Sequence, residues 1–277
     1  MQSGGEPRVT VVLAVYNRAR ELPLAIASVF AQTMPAWELL VVDDGSADDS
    51  LAIARRYLSD PRVRVLALGE NVGLGNALQA ALPHVRTPYF VTLDSDDWLA
   101  PTALADLMAA MDAGPADAVL ASANAQHWRE DRGRLVRDHV LRGRPFSDKF
   151  DFFRYGPYLV PRFYRTEAVL RVGGFERDPH GQGRFYEDKL ILLKLAAIGR
   201  FLHVDRLLYH VRLHAANLTR PEERARLNAI KKAMYERIMR EWGDPYEIVW
   251  ATHPEGWLDV ADLVPRTSAG AQDRRTH

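Results

Sequence analysis

The chain has 277 residues and not one cysteine. That absence removes disulfides, thiolate nucleophiles, iron–sulfur clusters and cysteine-type zinc sites together, and it fits a reducing compartment. An excess of either charge is also missing, because 36 Lys and Arg stand against 36 Asp and Glu. A general nucleic-acid binder carries a strongly basic surface, so no nucleic-acid partner is expected. Long apolar runs are lacking too. The longest, residues 190–198, is interrupted by Lys194 and is far too short to span a bilayer. Residues 1–7 are polar and contain no apolar signal core. The expectation is a cytoplasmic chain without a transmembrane anchor, with peripheral membrane contact and homo-oligomer formation left open. Repeats and low-complexity segments are absent as well. At 47% apolar and 26% charged residues, a chain of this length buries a sizeable core without staples.

The first 125 residues alternate regularly. Residues 9–15, 37–42, 63–68, 89–93 and 118–125 are short β-branched and apolar runs, which predict buried strands. Between them lie helical patterns, one with Leu22, Ile26, Val29 and Phe30 on a face, one with Leu51, Ile53, Ala54 and Leu58, and others over 74–85 and from Pro101 to about Met111. Ser46 or Asp48 is placed to cap the second helix. Strands alternating with helices predict βαβ units and a mainly parallel sheet, whose ligands sit at the carboxyl ends of the strands. The later chain is less regular. Residues 126–148 hold six arginines against four acids and predict a solvated hairpin, or alternatively a flap over an anionic ligand. Residues 158–164 and 207–213 are expected as strands, with a short helix capped by Thr166 before Gly173-Gly174. A buried helix is expected over 186–198, a charged amphipathic one over 222–241, and a polar, disordered tail from about Pro265.

The chemistry-bearing residues cluster at strand ends. Asp94-Ser95-Asp96-Asp97 packs three carboxylates into four residues, which repel one another unless a cation or donors compensate. Mg²⁺ and Mn²⁺ favour such oxygen ligands, although an acidic capping turn explains the same pattern. Asp43-Asp44-Gly45-Ser46 suits a base N–H or ribose hydroxyl, or simply a turn and N-cap. Glu187-Asp188 opens a buried helix, where an acid serves either the helix dipole or general-base chemistry. Strand alternation over 207–213 puts His210, Arg212 and His214 on one face, where they could meet a diphosphate or a metal. The pieces of a dinucleotide loop at Asn71-Val72-Gly73-Leu74-Gly75 fail for want of a third glycine, and no P-loop or nucleophile-elbow motif occurs.

Taken in order, these pieces resemble a family 2 glycosyltransferase with the inverting GT-A fold, over residues 9 to about 220. Ala14-Val15-Tyr16-Asn17 resembles the first nucleotide-binding motif and Asp43-Asp44-Gly45-Ser46 the second. Asn71-Val72-Gly73 is similar to the Asn-x-Gly loop, Asp94-Ser95-Asp96-Asp97 to the DXD motif, Gly173-Gly174-Phe175 to the acceptor-side glycines, Glu187-Asp188 to the catalytic pair, and Leu208-Tyr209 through Arg212 and His214 to the closing strand. The resemblance implies an α/β Rossmann-like mainly parallel sheet flanked by helices, with a smaller acceptor-side region. It implies a nucleotide-sugar-binding half at 1–125, an acceptor and catalytic half at 126–220, and a C-terminal helix and tail at 221–277. Implied partners are a nucleoside-diphosphate sugar, UDP-linked by preference, and a saccharide, lipid-linked, peptide or small-molecule acceptor. By this resemblance Asp188 is the general base with Glu187 beside it. Ala14, Val15, Tyr16, Asn17, Asp43, Asp44, Asn71, Asp94, Ser95, Asp96 and Arg212 meet the donor. Asp96, Asp97 and His214 meet a divalent cation, Mn²⁺ or Mg²⁺. Two departures from the pattern stand out. Ala14 stands where Pro or Thr is common, and Asn76 and Leu78 stand where a basic residue often follows the loop, which passes the phosphate contact to Arg212 or an arginine of 126–148. A catalytically silent nucleotide-sugar binder is the alternative reading. A sugar nucleotidylyltransferase is less favoured, because Tyr16-Asn17-Arg18-Ala19-Arg20 lacks the glycines of its phosphate loop.

Overall fold

The computed structural model describes residues 6–176, 186–213 and 223–266. Strand β1 (Val9–Val15) lies at the heart of the larger sheet, parallel to β2 (Trp37–Asp43) on one side and to β4 (Tyr89–Asp94) on the other. Strand β3 (Val63–Ala67) extends β2 in parallel. The order 3-2-1-4 reverses direction between β1 and β4, and such a switch point leaves a crevice at the carboxyl ends of the strands. Register sharpens the placement. Val15 pairs with Asp43, and Ala14 pairs with both Val42 and Asp94, so both acidic turns start at the same level.

Beyond β4 the sheet becomes mixed. Strand β8 (Arg162–Arg165) runs antiparallel to β4 and to β6 (Ala118–Asp131), while β9 (Arg200–Leu213) runs parallel to β6. The two-residue β5 (Trp98–Leu99) closes this edge against β9, and β7 (Arg134–Leu141) folds back on β6. Alternate side chains feed two cores. Val11, Leu13, Leu39, Val41, Val91 and Leu93 face helices α1 (Leu22–Phe30) and α4 (Ala103–Ala113). Val12, Leu40, Val42, Phe90 and Tyr164 face α3 (Leu74–Ala81), α6 (Thr166–Arg171), α7 (Glu187–Ala196) and α8 (Arg224–Glu241). Each fully buried Leu, Val or Phe contributes about 1.5–3 kcal/mol to holding these layers.

Several expectations change here. Strand β6 continues past residue 125, so the boundary drawn at 125/126 falls inside a continuous strand. Strand β9 begins at Arg200 rather than at 207, and β8 is shorter than the 158–164 expected. Helix α2 (Ser50–Arg55) is held by Asp48, whose Oδ1 accepts the Ser50 N–H at 2.9 Å. Thr166 does not cap α6; its hydroxyl donates to the Thr87 carbonyl at 2.7 Å. A separate hairpin of β10 (Tyr246–Thr252) and β11 (Leu258–Pro265) packs Tyr246, Ile248 and Trp250 on the second core. Its signals, the alternation at 246, 248 and 250 and the turn residues near Gly256, lie between the charged helix and the tail expected from about Pro265, in a stretch to which the sequence reading assigns no element. The remainder of that tail lies outside the described residues. No described helix is long and apolar enough to cross a membrane.

Candidate active site

A cavity of about 720 Å³ opens at the switch point. One wall comes from the first half: Ala14, Val15, Tyr16, Arg18, Asp44, Asn71, Gly73, Leu74 and Ala77. The turn Asp94 to Asp97 lines it too, and a second wall comes from later in the chain: Tyr158, Val160, Arg162, Asp188, Val211 and Leu213. Such a volume is typical of a site for a small ligand.

The first wall is built by side chains that bind backbone N–H groups of neighbouring loops. Asn17 adopts a left-handed backbone at φ 51, and its Oδ1 accepts from Ala47 N at 2.7 Å and Asp48 N at 3.3 Å. Its side chain therefore joins the β1 loop to the β2 loop and does not line the cavity. Asp44 accepts from Val72 N at 2.8 Å and Gly73 N at 3.0 Å, which fixes the 71–74 loop at the cavity edge. Gly45 sits at φ 70, where a Cβ would lie 2.4 Å from the Glu70 carbonyl carbon, so only glycine lets these loops approach. Asp43 is buried behind them. Its Oδ2 accepts from Ser46 N at 3.3 Å, and its Oδ1 is buried with no hydrogen-bond partner among the described residues.

The acidic turn is held from both sides by arginines. Arg18 Nε reaches Asp96 Oδ2 at 3.4 Å, and Arg162 Nη2 stands 3.6 Å from Asp94 Oδ2. Arg162 Nη1 also donates to Asp188 Oδ2 at 2.8 Å, while Asp188 Oδ1 accepts from Lys189 N at 2.7 Å. Asp97 turns inward: its Oδ1 accepts from Arg212 N at 2.8 Å. Burial, then Asp94 and Asp96, push the Asp97 carboxyl well above the usual range. Asp94 is raised by its enclosure and by Asp96 and Asp188, against the pull of Arg162. Burial and Asp188 raise Glu187 to about 8. Burial lowers Lys189 to about 7, against Asp188, and its Nζ donates to the Tyr155 carbonyl at 2.7 Å.

Of the residues expected at the site, Ala14, Val15, Tyr16, Asp44, Asn71, Asp94, Ser95, Asp96, Asp97 and Asp188 share this cavity. Asn17, Asp43 and Glu187 support it from behind. The expected alternation of β9 holds, but Val211 and Leu213 line the cavity while His210 and Arg212 point away. His210 stacks on Trp98 at 5.2 Å, and Arg212 Nε donates to the Asp96 carbonyl at 3.2 Å. Arg212 thus braces the turn from outside. His214 lies outside the described residues. The 126–148 segment forms the β6–β7 hairpin, and none of its arginines lines the cavity. Arg129, Arg142 and Arg144 pair instead with Asp138, Asp205 and Asp151. Sequence reasoning missed Arg18, Tyr158 and Arg162 at the site. Arg18 carried a signal, a cation just after the first strand. Arg162 carried none, because its role depends on partners 68 and 26 residues away.

The family model for glycosyl transferase family 2 matches residues 10–178. The chain belongs to this family. A family 2 relative, the succinoglycan biosynthesis protein ExoO of Rhizobium meliloti (strain 1021), is 41% identical over 227 residues, covering 74% of this chain and 61% of the relative. Against the first curated relatives it matches, the chain spans from 61% down to 30% of their length. Among solved structures, Staphylococcus aureus TarS 1-349 in complex with UDP-GlcNAc superposes at TM-score 0.65, with 20% identity, over 84% of this chain and 66% of that one. The mannosyltransferase PcManGT from Pyrobaculum calidifontis, in complex with GDP-Man and Mn²⁺, gives 0.61, with 20% identity, over 85% and 65%. The curled, mostly parallel sheet of this family 2 chain is therefore the α/β GT-A-like fold.

Proposed function

We propose that this chain transfers a sugar from a nucleoside-diphosphate sugar, with a uridine diphosphate donor favoured, to an acceptor hydroxyl with inversion at the anomeric carbon. The observation that carries this reading is that Asp188 and the Asp94–Asp97 turn line one cavity, with Arg162 bridging Asp188 and Asp94. In one in-line displacement the acceptor oxygen bonds to the anomeric carbon as the bond to the diphosphate breaks, and the acceptor proton passes to Asp188. Holding the two reactants in line supplies much of the rate. A positioned carboxylate base adds roughly 10²–10⁴-fold.

The remaining roles follow from placement. Ala14, Val15, Tyr16 and Asn71 line the nucleoside side, with Asn17, Asp43 and Asp44 setting their loops. Arg18, at the cavity edge, is the cation best placed for the diphosphate. Tyr158, Val160, Val211 and Leu213 form an apolar wall that limits competing water. A divalent cation fits the donor set. Asp94 and Asp96 both face the cavity, and the carboxylates repel one another there. A hard cation is commonly held by one or two carboxylates plus substrate phosphates, so the lack of any three-ligand cluster among the described residues is compatible with it. Asp96 and Asp94 would hold it, with Asp97 behind them. When bound, such an ion neutralises charge on the departing diphosphate. The Mn²⁺ in the PcManGT complex supports the same choice.

The test is a panel of nucleotide sugars scored by nucleoside-diphosphate release, with and without Mn²⁺, in the presence of candidate acceptors. Metal-stimulated release with one donor is expected. Donor-dependent thermal stabilisation with no release from any donor would instead mark a silent binding module.

A further inference from the structure

Arg162 is the least expected member of the site, and its geometry is the most specific. Strand β8 delivers it between the two acidic motifs, with its side chain only 9% exposed. Nη1 lies 2.8 Å from Asp188 Oδ2, Nη2 lies 3.6 Å from Asp94 Oδ2, and Nε points at Thr92 Oγ1 at 3.4 Å. One planar fork thus touches a carboxylate on each side of the reaction centre. Lysine, a single point charge, cannot reproduce that span. The backbone beneath is rigid: Thr92 pairs with Arg162 across the β4–β8 ladder. Arg162 also stays charged. Burial alone would weaken its hold on the proton, but Asp94 and Asp188 more than restore it.

The other contact to Asp188 comes from the backbone N–H of Lys189, which follows it in the chain and fixes Oδ1. That N–H cannot set the side-chain torsion by itself. Among the described residues, Arg162 is the remaining donor to the Asp188 carboxylate.

We infer that Arg162 is a positioning residue for the reaction: its guanidinium aims the Asp188 carboxylate into the cavity and ties that aim to Asp94 on the donor side. It touches neither reacting atom, so its effect on turnover runs through Asp188. A misplaced reacting group costs roughly 10²-fold in rate, which sets the expected scale. The inference rests on Asp188 being the base, and the experiment separates the two.

The experiment compares Arg162→Met, Arg162→Lys, Asp188→Asn and the Arg162→Met/Asp188→Asn double variant, all as the full chain. Transfer kcat, donor KM and calorimetric Kd for UDP with Mn²⁺ are measured, with melting temperature as the folding control. Arg162→Met should lower kcat roughly 100-fold while donor KM and UDP Kd stay within about threefold. Arg162→Lys should recover part of that loss. In the Asp188→Asn background, Arg162→Met should cost nothing further, because its target is gone. The double variant also removes the Asp188 charge, one of the two that Arg162→Met leaves without this partner, so it keeps the comparison open if Arg162→Met folds poorly. An unchanged kcat in Arg162→Met, or a further fall in the double variant, would overturn the inference. Full turnover in Asp188→Asn would remove the base assignment instead, and with it the premise.

Discussion

The two walls of the cavity are made in different ways. On the wall built from the first half, Asp44, one residue past a strand end, is fixed by the backbone N–H groups of Val72 and Gly73 in the neighbouring strand-end loop. On the other, Asp188 opens a helix and is fixed by the guanidinium of Arg162, which also reaches Asp94. The first construction uses backbone donors, and its acids write themselves into short strand-end motifs. The second pairs one buried side-chain charge with others, so each residue acquires meaning only through its partners. A charge held by backbone N–H groups survives substitution of distant side chains; a charge held by another buried charge does not.

That contrast can be broken most sharply at Asp188. Asp188→Asn should lower transfer by roughly 10²-fold or more while UDP affinity stays within a few-fold, measured by turnover and calorimetry. Parallel loss of both would mean that the two walls do not divide binding from chemistry. Asp96→Ala makes the reverse cut. It should weaken Mn²⁺-dependent UDP binding by about tenfold or more, and binding that no longer responds to Mn²⁺ is the diagnostic readout.

Glu187 tests the wall of paired charges through stability. Its carboxyl, with an ordinary value of 4.5, is raised to about 8, first by burial and then by Asp188. A group with a raised folded value contributes stability that is complete below about pH 4.5 and lost as pH climbs through about 8. Glu187→Gln should remove that slope, so the variant gains on the parent between pH 5 and pH 8.5 by on the order of 1–3 kcal/mol in urea unfolding. An unaltered slope would place the neutral form of Glu187 in doubt. Gly45→Ala is the local counterpart. The left-handed backbone and the 2.4 Å approach to Glu70 predict a loss of about 1–3 kcal/mol, with weakened UDP binding as the loops separate.

Legibility in the sequence followed the same division. Strands β1 to β4 and both acidic turns were readable because apolar runs, period and turn residues all occur within a dozen positions. Asp94, Asp96 and Asp188 were readable as candidates for the same reason. The facing of β9 was not, since alternation gives two faces without saying which one meets the ligand, and here Val211 and Leu213 do. Arg162 was invisible because an arginine in an aromatic strand has no local signature of a buried ion pair. The β10–β11 hairpin had a signature, alternation around a turn, but only three positions of 246–250 alternate, too short a run to separate a strand from irregular chain.

Strand β6 carries a practical consequence for recombination. It runs unbroken from Ala118 to Asp131 and pairs with β7, β8 and β9. Strand β5, four residues after the first carboxylate of the acidic turn, is zipped to β9, about 110 residues later in the chain. The residues before and after 125 are interleaved in space, so a chimera cut there would sever a shared strand and leave each parent's turn against a foreign brace. Exchange of acceptor preference between relatives would have to carry β5 and β6 to β9 as one block, joined in the loops around it.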